Sequence, residues 1–362
     1  MKHCAIVQME AVHEVTVPPV IYLLNQLGYI PYVYFNKRAL DTRGDIFKYC
    51  RDLKFKLFYV EINKAKDWHS LQTKINALIS NFDFIIANTF QNPGPLKFIS
   101  DFNKPIIGLV HNVDLFIKNE LSLEIAERTN VFLLSIAYHV ALSLRYNIGI
   151  NSRNINFFTP AFLTDHKHYI KKKDIKSKIK ISVIGGVNLQ TRAFDELIES
   201  VEKIDYPLIE IMICGGGSHR EKLETIVKEK KLENQILFAE LDKNTSFVMY
   251  DEYFSHIADS HFILSLLPQD GFLDYIRNKA TSIFMTAISL EIPIITDSIS
   301  KHVYRLPCVS YENGNLHQIL KLLPDMDINA YQHMVDEIKV YKQQCLKEGQ
   351  ENLNDAINYI KK

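Results

Sequence analysis

The sequence predicts an α/β protein of two tandem doubly wound domains, each a parallel sheet covered by helices. Three observations predict it. The chain has 362 residues, more than one hydrophobic core usually organises. Short apolar runs alternate with segments of helical period from end to end, the pattern of repeated strand–helix–strand units. That alternation is interrupted at 171–178 by KKKDIKSK, a charged tract without apolar periodicity that reads as a linker. The expected domains are therefore residues 1–170 and 179–328, with a helical stretch over 329–362 that either folds back on the first domain or stays at the surface.

In order along the chain, His3 to Met9 is the first strand, followed by a helix that Thr16, Pro18 and Pro19 open and Gly28 closes. Proline in the first turn and glycine past the last are the expected punctuation. Further strands are expected at Ile30 to Phe35, Lys56 to Ile62, Phe84 to Asn88, Pro105 to His111, Val131 to Ser135 and Asn156 to Thr159, with a helix over Trp68 to Ile79. After the linker, strands are expected at Ile179 to Ile184, Ile209 to Cys214, Gln235 to Ala239, His261 to Leu267 and Pro293 to Thr296. Helices are marked by Phe194, Leu197, Ile198 and Val201, and by Leu223, Ile226 and Val227. A long, mostly polar helical stretch runs from about Asn329 to Ile360.

Composition narrows the classes of function. The 42 basic and 42 acidic residues cancel, which argues against a protein whose main partner is nucleic acid, since such proteins usually carry a basic excess. Cys4, Cys50, Cys214, Cys308 and Cys345 are scattered and form no CxxC pair, so neither a disulfide framework nor a zinc site is expected. The opening apolar run is too short for a signal peptide, and no stretch approaches the roughly 20 apolar residues that span a bilayer. The expectation is a cytoplasmic protein, with at most peripheral contact at the inner face of a membrane.

Three segments point to an anionic ligand in the second half. ISVIGGVNLQTRAF sets Gly185 and Gly186 at a strand end and Arg192 in the first turn of the next helix. Glycines let a ligand approach the backbone, helix N-terminal amides favour anions, and arginine can bridge two phosphate oxygens. IMICGGGSHREKL repeats the arrangement one unit later with Gly215, Gly216 and Gly217, and with Ser218 as a helix cap. Neither segment matches GxGxxG with its downstream acidic residue, so a dinucleotide cofactor is not expected. DYIRNKATSIFMTAISLEIPIITD places Asn278, Lys279, Thr281 and Ser282 directly before an apolar helix, where a lysine charge, hydroxyls and free amides together can cradle a diphosphate. Tight turns, a surface arginine and an ordinary helix cap are the alternative readings of the three.

The order of these segments over most of residues 179–300 resembles the donor half of GT-B glycosyltransferases. The first half resembles that fold more loosely, through KPIIGLVHNVD, LLSIAYHVALSL and FFTPAFL. The resemblance implies two Rossmann-like domains facing a central cleft, a sugar nucleotide lying along the C-terminal domain and an acceptor entering from the N-terminal one. One departure is visible. The large retaining family typified by sucrose and glycogen synthases carries two glutamates eight positions apart, and the matching positions here are Asn278 and Thr286. A retaining mechanism of that family is therefore not expected. Its glutamate contact to the ribose would fall to another acid, such as Asp270 or Glu240.

In the first half, QMEAVHEVTVPP follows the first strand and offers Glu14 and His13 as bases for an acceptor hydroxyl. Helix N-terminal decoration is the alternative. His111 and Asn112 end the strand PIIGLVHN, and so stand at the carboxyl edge where open α/β sheets bind ligands. A satisfied core histidine is the alternative there. The D-x-D of Asp325 and Asp327 reads as helix capping rather than a metal site, and His166 and His168 show no zinc spacing. The function expected is transfer of a hexose-type sugar from a nucleotide-diphosphate sugar to a glycan or lipid-linked acceptor in polysaccharide assembly, such as lipopolysaccharide or capsule. No bound metal and no further cofactor are expected, and direct displacement would invert the anomeric centre. The alternatives are a sugar-nucleotide 2-epimerase and a non-catalytic scaffold subunit of a glycan-assembly complex.

Overall fold

The computed structural model describes residues 2–62, 73, 77–78, 81–100, 102–149, 154–161, 175, 178–204, 208–268 and 273–362. The chain divides into two compact units. The first comprises Met1–Thr164, Arg277–Ala280 and Gln344–Lys362, and the second Asp165–Ile276 and Thr281–Gln343. Most of the helix expected at Trp68 to Ile79 and most of the charged linker tract lie outside the described residues.

The first unit holds a parallel sheet of seven strands. These are β1 (Lys2–Gln8), β2 (Tyr29–Asn36), β3 (Lys56–Val60), β4 (Ile85–Ala87), β5 (Ile106–Val110), β6 (Val131–Ser135) and β7 (Ile155–Phe157), in the order β3-β2-β1-β4-β5-β6-β7. All residues of β4, β5 and β6 are buried, as expected of strands covered on both faces. Its helices are α1 (Val17–Gln26), α2 (Lys37–Arg43), α3 (Pro93–Ile99), α4 (Val113–Ile117), α5 (Glu120–Ala126) and α6 (Tyr138–Ile148). Gly28 has a φ of 79°, which lets the chain turn from α1 straight into β2.

The second unit repeats the plan with six strands: β8 (Ile179–Ile184), β9 (Ile209–Cys214), β10 (Ile236–Phe238), β11 (Phe262–Leu264), β12 (Ile294–Asp297) and β13 (Val309–Tyr311). Their order is β10-β9-β8-β11-β12-β13, all parallel. Its helices are α7 (Phe194–Glu202), α8 (Arg220–Glu229), α9 (Tyr250–Asp259), α10 (Asp274–Arg277), α11 (Ser282–Leu290), α12 (Ser298–Tyr304) and α13 (Leu316–Leu322). In both sheets the strand order reverses beside the first strand, between β1 and β4 and between β8 and β11. Such switch points open a crevice at the carboxyl ends of the strands.

A last helix, α14 (Ile328–Ile360), changes unit partway along its length between Gln343 and Gln344. Its later turns complete the first unit. Leu353, Ala356, Ile357 and Ile360 are buried, and Asn352 accepts a hydrogen bond from the Asn156 amide (2.7 Å) and donates one to the Phe157 carbonyl (2.9 Å). Among the described residues no helix is long and apolar enough to cross a membrane.

Candidate functional site

In the second unit the switch point is built from three loops. Gly185, with φ 101°, ends β8, and the next loop packs directly on it. A Cβ on Gly215 would lie 1.9 Å from the Gly185 carbonyl oxygen, and one on Gly216 would lie 2.2 Å from the Ser246 carbonyl oxygen. The Val187 amide donates to the Gly216 carbonyl at 2.8 Å. These glycines allow two strand-end loops to touch backbone to backbone. At Gly186, by contrast, a Cβ would meet nothing closer than 3.8 Å.

Arg192 lies in the loop before α7 rather than in its first turn, because the helix begins at Phe194. The Ala193 amide donates to the Leu266 carbonyl beyond β11 (2.9 Å), which pins this loop across the switch point. The guanidinium stands over the Tyr275 ring, 5.1 Å from its centroid, and hydrogen-bonds that residue. Burial lowers its pKa, although an arginine remains charged in any protein setting. Its Nη1 is buried without a hydrogen-bond partner among the described residues. A buried, unmatched donor is costly, and a charged one more so; an anion at this point would remove that cost.

Thr281 caps α11, its hydroxyl accepting from the Ile283 amide at 3.3 Å. The Thr281 amide donates to the Tyr304 hydroxyl (3.2 Å), which in turn donates to the Tyr275 carbonyl (2.6 Å). Burial pushes the Tyr304 phenol well up, so it stays a neutral donor. Ser282 is exposed at the start of α11. Gly185, Gly186, Arg192, Gly215, Gly216, Thr281 and Ser282 therefore share one unit, whereas Lys279 falls in the first unit, bridged to Asn112. Ser218 does not cap α8: the capping position is His219, and no side chain caps it. Asp327 accepts from the Asn329 amide at the start of α14 (3.2 Å), a capping contact. Glu240 donates its amide to Glu252 (2.9 Å), and Asp270 lies outside the described residues.

In the first unit the switch point is filled by polar side chains. Gln8 and Asn88, at the ends of β1 and β4, hydrogen-bond one another, and Asn88 also donates to the His13 carbonyl at 3.1 Å. His13 has a left-handed backbone (φ 67°) and stacks on His111, ring centroids 4.1 Å apart. His111 is buried. Its Nε2 lies 2.6 Å from the Asn88 carbonyl, which accepts only, so Nε2 carries the proton and Nδ1 holds a lone pair. Nδ1 is buried without a partner among the described residues. Burial lowers the His13 pKa to about 4 and the His111 pKa well below the usual histidine value, so both rings are neutral at pH 7.

Glu14 is only 4% exposed, and its carboxylate lies 4.0 Å from Arg43. Asn112 caps α4, and its amide and that of His111 both donate to Gln91 Oε1 (2.9 and 2.7 Å). The site also contains a carboxylate absent from the sequence expectation. Glu10, at the carboxyl end of β1, accepts from Asn92, and burial raises its pKa. The sign of it was the polar run Asn88, Thr89, Gln91 and Asn92 directly after a buried strand, which has no packing reason to be polar. Tyr275 and Tyr304 left no comparable trace.

No family model matches the chain, and no curated protein matches it in sequence. Solved structures match it over its whole length. HepE from Anabaena, in complex with UDP and glucose, aligns with a TM-score of 0.67 at 11% identity, covering 98% of this chain and 99% of that one. A glycosyltransferase from Rickettsia africae gives 0.64 at 13%, covering both chains completely (100% and 100%). The UDP-GlcNAc 2-epimerase from Neisseria meningitidis, bound to UDP-GlcNAc, gives 0.55 at 13%, covering 98% and 99%. On these likenesses and its two Rossmann-like parallel sheets, the chain has the GT-B fold.

Proposed function

We propose that the protein is a glycosyltransferase that moves a sugar from a nucleotide-diphosphate sugar, with UDP as the nucleotide, to a hydroxyl of a glycan or lipid-linked acceptor. The observation that carries this reading is Arg192, a buried guanidinium with an unmatched Nη1 at the switch point of the second sheet. UDP is suggested by the nucleotide bound in HepE and by the UDP-GlcNAc of the epimerase. Arg192 and the amino end of α11 would take up the charge of the departing diphosphate, a task that fixed donors perform well in a site already organised for it. No metal is needed for this, and turnover is expected to survive EDTA.

In the reaction the acceptor oxygen bonds to the anomeric carbon, the bond from that carbon to the diphosphate oxygen breaks, and the acceptor proton passes to a base of the first unit. His13, stacked on His111, and Glu14, secluded beside Arg43, are the two candidates for that base, and comparing His13→Gln with Glu14→Gln assigns the role. A single displacement of this kind inverts the anomeric centre, in keeping with Asn278 and Thr286 at the positions of the paired glutamates. Calorimetry with UDP, GDP, CMP and TDP tests the nucleotide. Incubation of UDP-sugars with and without acceptor then separates transfer from 2-epimerisation, which needs no acceptor. Loss of the base should lower turnover about a hundred- to ten-thousand-fold with UDP affinity unchanged. Wild-type protein that binds no nucleotide, or epimerises the sugar without acceptor, refutes the reading.

A further inference from the structure

At the carboxyl edge of the first sheet the polar side chains form a network that closes on itself except at three atoms. Gln8 spends its amide on the Glu10 and Val12 carbonyls (2.9 and 2.7 Å), which fixes the loop after β1. Asn88 donates to Gln8 and to the His13 carbonyl, and its Oδ1 lies 3.0 Å from the Thr16 hydroxyl. Asn92 donates to Glu10 Oε1, and Gln91 Oε1 accepts from the His111 and Asn112 amides. Left over are Glu10 Oε2, Thr89 Oγ1 and His111 Nδ1, all buried and without a hydrogen-bond partner among the described residues. The three residues follow β1, β4 and β5, which are neighbours in the sheet, so strand spacing sets their loops side by side over about 10 Å. Thr89 stands beside Glu10 without hydrogen-bonding geometry between them. A carboxylate oxygen and an imidazole lone pair can only accept, whereas the threonine hydroxyl accepts or donates. What matches them is therefore a group of hydrogen-bond donors. An ionised phosphate offers none and would meet the Glu10 carboxylate, and an apolar chain would leave all three atoms unmatched, which is costly in a buried place. A ring bearing several hydroxyls supplies donors spread over this breadth.

We propose that Glu10, Thr89 and His111 form a recognition site for the hydroxyls of a saccharide, so that the acceptor is held by a sugar ring rather than by a phosphate. Calling that saccharide the acceptor rests on the transfer reading above; the site itself is argued from the first unit alone. Binding of the methyl glycosides of glucose, galactose, mannose and N-acetylglucosamine, and of glycerol 3-phosphate, to the full-length protein is followed by NMR titration. At least one glycoside should bind, and glycerol 3-phosphate should bind more weakly. Glu10→Gln, which turns an acceptor oxygen into a donor, and Thr89→Val, which removes the hydroxyl but keeps the shape, should each weaken that glycoside about five- to a hundred-fold. UDP affinity, read by calorimetry on the same samples, should not change. Deoxy analogues of the bound glycoside, each lacking one hydroxyl, separate recognition from packing. The analogue that loses most against wild-type protein should lose little more against one of the two variants, because the contact is already gone. A variant that weakens every analogue in equal proportion, glycoside affinity unchanged in both variants, tighter binding of glycerol 3-phosphate, or no binding by any glycoside overturns the proposal. UDP binding without glycoside binding removes this site and leaves the donor reading intact. Glycoside binding without UDP binding does the reverse, so the two failures are told apart.

Discussion

At Arg192 the fold holds a cation beside Tyr275 but leaves Nη1 unmatched. Arg192→Ala should weaken UDP binding by about 1.5–3 kcal/mol, the scale of a charge-assisted hydrogen bond. Arg192→Lys should recover only part of it, since a point charge lacks the planar fork; calorimetry reads both. The stacked histidines make a second expectation, about pH. Their pKa values are lower in the folded state than the ordinary 6.5, with His13 near 4. The unfolded chain therefore takes up protons first on acidification, so this contribution to stability is complete above about pH 6.5 and is lost as pH falls toward 4. Urea unfolding across that window should show the loss, and a flatter profile for His13→Gln. The candidate site was partly legible. His13, Glu14 and His111 were marked by their places after strands, and Arg192 by its place after the glycine-ended first strand of the second sheet. The stacking of His13 on His111 joins positions far apart in sequence, and the division between a secluded Glu14 and a neutral His13 depends on Arg43 and on burial, which no local pattern encodes.

At the scale of elements, the loops after β8 and β9 owe their geometry to glycine. Gly215→Ala would drive a methyl into the Gly185 carbonyl, with 1.9 Å available, and should cost about 3 kcal/mol, the upper end for overpacking. Gly186→Ala, with 3.8 Å of room, should stay within about 0.5 kcal/mol. Thermal unfolding of the two variants checks the contrast, which a reading of both glycine runs as ligand approaches alone does not anticipate. Strands were legible where a short buried apolar run was bounded by polar residues or glycine. Val131–Ser135 and Ile179–Ile184 fall as expected. β13 was missed because VSY is short and half-buried at a sheet edge, and α12 because SISKHVY carries little apolar periodicity, whereas Tyr250, Phe254, Ile257 and Ala258 of α9 do repeat at helical spacing. The strand expected over His261 to Leu267 shortens to Phe262–Leu264, since its last residues turn out to meet the Ala193 amide.

For the whole molecule, the helix α14 matters most. Leu353, 2% exposed, lies on the part of it that completes the first unit. Leu353→Ala should remove about 2–5 kcal/mol from that unit and leave UDP binding by the second unit unchanged, so that a two-step melt replaces a single one. The two sheets were legible in the sequence because strand–helix alternation is a local pattern. The return of residues 344–362 to the first unit was left open, because a mostly polar helix carries no address for its partner. Its consequence lies in biosynthesis. Chains usually fold domain by domain as they leave the ribosome, the N-terminal one first. Here the seven strands of the first sheet are made before the second sheet, yet the helix that buries part of their core follows the second sheet in the chain. The first unit is thus completed only after the strands of the second have been made, and until then the face of Phe132, Asn156 and Phe157 stays without the helix that covers it.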